Sequence, residues 1–356
     1  MSSVEDDLRR RVEEGHVVVF VGAGISAAAA PGKPTATWKG LLRHGVNRCR
    51  ELVPTLTPEW VERVLGEIGS KDVDELLSVA EKITDKLGGR DGGEYRLWLR
   101  DTVGSLQLEK PEIVSAVAGL GVPIVTTNYD SLIEQGTGLP PVSWRNWDKA
   151  HRLFLGQEQG VLHLHGYWDE AESVVLGLRS YNQILGDDRA KALLQALTLT
   201  KSCLFVGFGA GLDDPSFHSL RKWLATVLRQ SEHRHFRLLR EEEFEAAAGQ
   251  HARAERIVFI SYGTQYGDLA PFVRSLRTST PAGSPATAGP RDASVLPPPP
   301  RCFGRDAIIR AVVEQLLLNA PSPIPVLGPP GIGKTTICRA VLHDSSVTDR
   351  YGIHRY

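Results

Sequence analysis

The sequence has 356 residues, enough for two domains and part of a third. Hydrophobic residues make up 42% of it, which excludes a wholly disordered chain. The 41 basic and 42 acidic residues leave a formal charge of −1, so no electrostatic footprint for nucleic acid or an anionic membrane is expected. The charged start, residues 1–14, predicts an amphipathic helix in place of a signal peptide. No apolar run approaches the ~20 residues of a membrane-spanning helix, so the chain reads as soluble and cytoplasmic.

Apolar runs at 17–21, 122–126, 161–164, 203–206, 236–239 and 257–260 are rich in Val, Ile and Leu, as expected of strands buried on both faces. Between them, 38–52, 72–87, 189–199 and 215–229 carry helical patterns. This alternation predicts an α/β fold, a doubly wound, Rossmann-like parallel sheet. The gap between the first two strands is too long for one crossover and predicts an all-helical insertion at about 55–110. Residues 278–300, built from Pro, Ala, Gly, Ser and Thr and closing on four prolines, read as a linker. They divide a domain at 1–277 from a short segment at 301–356.

The cysteines, Cys49, Cys203, Cys302 and Cys338, include no C-x-x-C pair, so neither a zinc ribbon nor a thioredoxin-type redox pair is expected. Cys49 and Cys203, in a predicted helix and a predicted strand, read as buried thiols.

Ligands of open parallel sheets bind beyond the carboxyl ends of the strands. The first strand is followed by Gly22-Ala23-Gly24-Ile25-Ser26-Ala27, the second by Thr127-Asn128-Tyr129-Asp130 and the third by His165-Gly166. The fourth is followed by a glycine-rich turn from Gly207 through Gly209 and Gly211 to Asp213-Asp214-Pro215. Small or polar groups thus converge at four strand ends. The first motif matches the dinucleotide fingerprint in its Gly/Ala form. The acidic residue that should follow it is not convincingly present, since Glu51 falls at the end of a helix. Each residue also has an ordinary reading: Gly22 in a tight turn, Ser26 as an N-cap, Asn128 in a turn, Asp130 as a cap, Asp214 as an N-cap before Pro215. Asp213 stays open between the two. His165 suits general-base work, and one of His163 and His165 reads as a buried, satisfied histidine.

Taken in order, G-A-G-I-S, T-N-Y-D, H-G and the glycine-rich turn resemble the sirtuin family over about residues 17–215. The resemblance implies NAD⁺ bound in an extended pose across the sheet. It implies that Ala23, Gly24 and Ser26 lie near the nicotinamide ribose and phosphates. Asn128 would position water and the ribose, Asp130 would lie by the carboxamide pocket, and His165 would act as base toward ribose hydroxyls. Gly22, Thr127, Gly207 and Asp213 complete the expected NAD⁺ site. Protein deacylases of that family carry a four-cysteine zinc module after the catalytic histidine, typically two C-x-x-C pairs; this sequence has no C-x-x-C, and its segment at 167–189 is short. The segments at 38–42 and 209–215 instead resemble the zinc-free bacterial branch, whose members hydrolyse NAD⁺ in antiphage defence. The expected activity is therefore that of an NAD⁺ glycohydrolase, without zinc. An NAD⁺-dependent protein deacylase and a non-catalytic module binding NAD derivatives are the alternatives.

Gly328-Pro329-Pro330-Gly331-Ile332-Gly333-Lys334-Thr335 fits G-x-x-x-x-G-K-[ST], between an apolar run at 324–327 and a helix-forming run at 335–342. Backbone amides around Gly328, Gly331 and Gly333 are expected to wrap ATP phosphates. Lys334 would meet the β/γ charges, Thr335 would coordinate Mg²⁺, and Thr336 adjoins them. Cys302-Phe303-Gly304-Arg305-Asp306 resembles the segment that abuts adenine in STAND-class NTPases, which makes Arg305 an ATP-site residue. Little sequence follows the loop, so an incomplete NTPase with little ATPase activity is expected. This order of domains implies an effector gated by homo-oligomerisation through both domains. A phage-derived trigger would be read by a missing C-terminal region.

Overall fold

The run Val17–Val21 is buried at every position and forms β1, the strand around which the sheet is built. In a computed structural model of the chain, the residues described are 3–70, 72–154, 156–209, 233–248, 256–277, 305–318 and 334–347. They fall into two units, Met1–Ser279 and Thr280–Tyr356.

In the first unit, β1 is followed by β2 (Ile124–Thr126), β3 (Pro141–Ser143), β4 (Val161–His163), β5 (Ser202–Val206), β6 (His235–Leu239) and β7 (Ile257–Ser261). They form one parallel sheet in the order β3-β4-β2-β1-β5-β6-β7. The chain runs outward from β1 to one side, then returns to lay β5, β6 and β7 on the other. The switch point of the topology therefore lies at β1, between β2 and β5, where a doubly wound sheet opens its crevice.

Alternation along each strand feeds two cores. Val18, Phe20, Val125, Leu162, Cys203 and Phe205 point into one. Val17, Val19, Val21, Ile124, Val161, Leu204 and Val206 point into the other. The second core is closed by α1 (Ser3–Glu13), α2 (Ala23–Ala29), α7 (Glu112–Gly119) and α8 (Leu132–Thr137). The first takes α3 (Trp38–Leu52), α4 (Pro58–Glu67), α5 (Val73–Lys86) and α6 (Gly93–Asp101). The helices between β1 and β2 are thus a layer of the main core: Leu76, Val79, Ile83, Trp98 and Leu99 share one cluster with the sheet. Each such side chain removed from water contributes roughly 1.5–3 kcal/mol.

Local chemistry sets where these helices begin. Thr37 accepts from the Gly40 amide ahead of α3, and Thr57 from the Trp60 amide ahead of α4, whose first residue is Pro58. Asp72 accepts from the Asp74 amide ahead of α5. The three short helices α9 (Trp147–Phe154), α10 (Leu178–Gly186) and α11 (Asp188–Thr200) connect β3, β4 and β5. The helix predicted at 215–229 lies outside the described residues.

The second unit contributes Asp306–Leu318 and Lys334–Leu342, helices that pack through Val313, Ile337 and Val341. Arg305 immediately precedes the former. Lys334 and Thr335 open the latter, though their side chains are outside the described set, and Thr336 follows half-buried. Gly328, Gly331, Gly333 and the apolar run before them lie outside the described residues, as does the 278–300 segment. No helix among the described residues is long and apolar enough to cross a membrane.

Candidate functional site

At the switch point two glycine turns meet. The Gly22 amide donates to Val206 O at 3.0 Å, and the Gly24 amide to Gly207 O at 2.9 Å. A Cβ on Gly24 would sit 2.7 Å from Gly207 O, and one on Gly22 would sit 2.6 Å from the Phe208 ring. Gly207 itself holds φ at +78°, in the left-handed region. These glycines therefore let the turns after β1 and β5 touch backbone to backbone. The turn after β5 is held from beneath by Arg237 of β6, fully buried, which donates to Phe208 O at 3.2 Å and Gly209 O at 2.6 Å. Sequence reasoning missed Arg237; a single arginine in an apolar strand run was its only signal.

Beside these turns lies a narrow crevice, lined by Ala23, Ser26, Trp38, Thr127, Asn128 and Asp130 among others. Ser26 is not an N-cap: Gly22 is the cap of α2 and Ser26 lies inside the helix, its hydroxyl turned to the crevice wall. It donates to Asp130 Oδ2 at 2.6 Å and accepts from Asn128 Nδ2 at 2.7 Å. The same amide nitrogen donates to Gly22 O at 3.1 Å. Both amide hydrogens of Asn128 are thereby committed, and the carbonyl partner fixes which way the amide faces. Its Oδ1 is left as an acceptor with no hydrogen bond to another described residue. Asp130 also accepts the Leu132 amide on Oδ1 at 3.1 Å, at the first residue of α8, but the cap position of that helix is Ser131 and not Asp130 as expected. Burial pushes its carboxyl up from the ordinary range, against the lowering effect of the Ser26 hydroxyl.

Two residues lining this crevice have a polar atom buried with no partner among the described residues, Thr127 Oγ1 and Trp38 Nε1. An unmade hydrogen bond on a buried group costs roughly 1–3 kcal/mol. The crevice wall thus holds an acceptor on Asn128, with a buried donor on Trp38 and a buried hydroxyl on Thr127. A ligand carrying both hydroxyl and carbonyl groups matches that set.

The two histidines at the end of β4, His163 within it and His165 just past it, separate clearly. His163 is the satisfied one: Nδ1 lies 2.9 Å from Asn128 O and Nε2 2.7 Å from Glu134 Oε1. His165 is 1% exposed, does not line the crevice, and meets Tyr181, whose hydroxyl is 3.5 Å from Nδ1. Burial alone drives its pKa down to about 3, so it is neutral at ordinary pH. Gly166 after it has φ at +89°, and a Cβ there would sit 2.2 Å from Ser173 O. This tight approach lets the Val175 amide reach back to His165 O at 2.7 Å. Asp213 lies outside the described residues.

A parallel sheet opened at its switch point, with Ser26, Asn128 and Asp130 gathered there, has a counterpart among known families. Residues 122–276 match the family model described as SIR2-like domain. Over those residues the match supports a sirtuin-like domain and points to NAD⁺-related activity in general. The match takes in β2 through β7, with the T-N-Y-D and H-G strand ends, while Gly22 to Ser26 lie ahead of it. Among the described residues no group of three or more His, Cys, Asp or Glu side chains is placed to hold a metal ion.

Proposed function

We propose that the first unit hydrolyses NAD⁺ to ADP-ribose and nicotinamide. The observation that carries this reading is the acceptor left on Asn128 Oδ1, at the mouth of a hydrogen-bonded chain running through Ser26 to Asp130. In NAD⁺ the bond between ribose C1′ and the pyridinium nitrogen breaks with its electron pair going to nitrogen, and nicotinamide leaves neutral. A water oxygen then bonds to the electron-poor C1′ and its proton passes to solvent. Asn128 Oδ1 accepts one hydrogen of that water and so aims an oxygen lone pair at C1′. Thr127 and Trp38 supply the hydrogen bonds that the ribose hydroxyls and carboxamide require. Ala23, at the start of α2, stands nearest the phosphates, while the Gly22 and Gly24 amides remain committed to Val206 O and Gly207 O. His165, with a pKa near 3, is neutral at ordinary pH and stands outside the lining of the crevice, so the base role toward the ribose hydroxyls expected of it has no part in this reading. The zinc-module cysteines that a deacylase of this family would need are missing from the sequence, which favours water over an acyl-lysine as the acceptor.

In this reading residues 301–356 begin a STAND-class NTPase. Lys334 and Thr335 would bind ATP and Mg²⁺, and homo-oligomerisation would gate the hydrolase in defence against phage. The experiment is incubation of the chain with NAD⁺ over a wide range of protein concentration, with nicotinamide and ADP-ribose quantified by chromatography. Release that Asn128→Ala abolishes is expected. Release of O-acetyl-ADP-ribose from an acetylated peptide, or tight NAD⁺ binding with no product, would replace this reading with a deacylase or a binding module.

A further inference from the structure

Behind the crevice lies a buried pair that the reaction just described does not use. His163 is fully buried on β4, and Glu134 of α8 has a side chain only 10% exposed. The imidazole sits between two groups that can only accept, the Asn128 carbonyl and the Glu134 carboxylate. Both contacts have hydrogen-bond length, so the pair together holds one proton more than a neutral imidazole beside a protonless neighbour could satisfy. Three other groups face it: Tyr167, whose ring meets the imidazole edge-on with centroids 4.9 Å apart, the Asp130 carboxylate, and the second oxygen of Glu134, Oε2, buried without a partner among the described residues. Asn128 is therefore gripped at two points, by its side chain from Gly22 and Ser26 and by its carbonyl from His163.

We propose that His163 and Glu134 are positioning residues for Asn128: the imidazole, clamped by the Glu134 carboxylate, fixes the peptide from which the Asn128 amide presents Oδ1 to the crevice. Neither residue touches the ligand; both act through Asn128. The proposal rests on the hydrolase reading for its kinetic consequence but not for its geometry. The clamp restrains one peptide against a small rotation. Its loss leaves NAD⁺ binding largely intact, because Thr127, Trp38 and the α2 turn are unaffected, and lowers turnover.

The test compares the full chain with His163→Leu, His163→Lys and Glu134→Gln. Lysine donates to two acceptors at once and leucine to none, so the pair of variants separates hydrogen bonding from bulk. Expected are a fall in kcat of at least tenfold for His163→Leu with KM within about threefold, and recovery of most of kcat in His163→Lys. Glu134→Gln falls between them. A folded His163→Leu variant that keeps wild-type kcat overturns the proposal, as does a lysine variant no better than the leucine one. Nitrogen-15 spectra of the histidine-labelled chain give a second reading, independent of turnover. Both ring nitrogens of His163 are expected to carry protons at pH 7, and a single-proton ring with no coupling to Asn128 sinks the idea. Should the wild-type chain release no nicotinamide, the hydrolase reading fails. The clamp is then decided by those spectra and by whether the Asn128 side-chain amide resonances move in His163→Leu.

Discussion

The hydroxyl of Ser26 joins Asn128 to Asp130, accepting from the Asn128 amide at 2.7 Å while donating to the Asp130 carboxylate at 2.6 Å. A residue inside the first crossover helix thus ties together two residues from the loop after β2, more than a hundred positions away. It orients the amide on one side and satisfies a buried carboxylate on the other.

Replacing Ser26 by alanine removes both bonds and leaves the Asp130 carboxylate short of its donor in the protein interior. The expected cost is about 1–3 kcal/mol in folding stability, measured by urea unfolding. Nicotinamide release should fall at least tenfold. A variant of wild-type stability and turnover would show that the hydroxyl does neither job.

Gly24→Ala tests the contact between the two turns. Its methyl would have to occupy space 2.7 Å from the Gly207 carbonyl, a backbone atom with no freedom to swing aside. Forced overpacking of this kind costs roughly 1–3 kcal/mol. Calorimetry should show a lowered Tm, with NAD⁺ affinity reduced alongside it. An unchanged Tm together with unchanged affinity would mean that the turns can part freely.

The buried histidines give the stability a definite pH dependence. His165 is lowered to about 3 and His235 to about 4, both chiefly by burial. Unfolded, each would titrate near the ordinary value of about 6.5. Between those limits the unfolded chain binds protons that the folded chain refuses. Stability contributed by these groups is present above pH ~6.5 and drains away as pH falls, by up to about 1.4 kcal/mol per pH unit for each. His163 runs the other way: Glu134 holds it protonated above the ordinary value, so its contribution is complete below that value and is lost as pH rises through its folded pKa. Urea unfolding from pH 4 to 8 should therefore show a steep acid limb, and His165→Phe should make that limb shallower. An acid limb of the same slope in that variant refutes the assignment.

Cys49 and Cys203 are buried, with burial pushing the Cys49 thiol up to about 11 and the Cys203 thiol higher still. Neither offers a thiolate at pH 8. Iodoacetamide applied to the native chain should leave both unmodified, and applied in urea should label both, as read by peptide mass spectrometry. Native labelling at Cys203 would mean that β5 opens readily.

Much of the scaffold was legible because its signals are strong. An unbroken apolar run marks Val17–Val21, and a helical pattern marks Trp38–Leu52; both bounds agree with those expected from sequence. The strand Pro141–Ser143 was not anticipated: three residues hold no periodicity, and a proline at the first position is tolerated only because it sits at the sheet edge. At the crevice, the residue types at the strand ends pointed to Ser26, Asn128 and Asp130, but their mutual bonds exist only after folding. The partnership of His163 with Glu134 was hidden for the same reason, since the two residues are 29 positions apart in sequence and meet only in the folded chain. Which of His163 and His165 is satisfied was likewise settled by what each touches.

The clasp after His165 has a consequence for rebuilding the molecule. The Val175 amide returns to the His165 carbonyl, Tyr129 reaches across to Val175 O, and Trp144 holds Ser173 O, so the loop's two ends are stapled side by side. Its tip, Asp169 and Glu170, is exposed. A folded cassette whose own termini adjoin could be spliced into that tip with little loop-closure entropy and without prying any strand from the sheet, which makes it the natural socket for a reporter or an added recognition module.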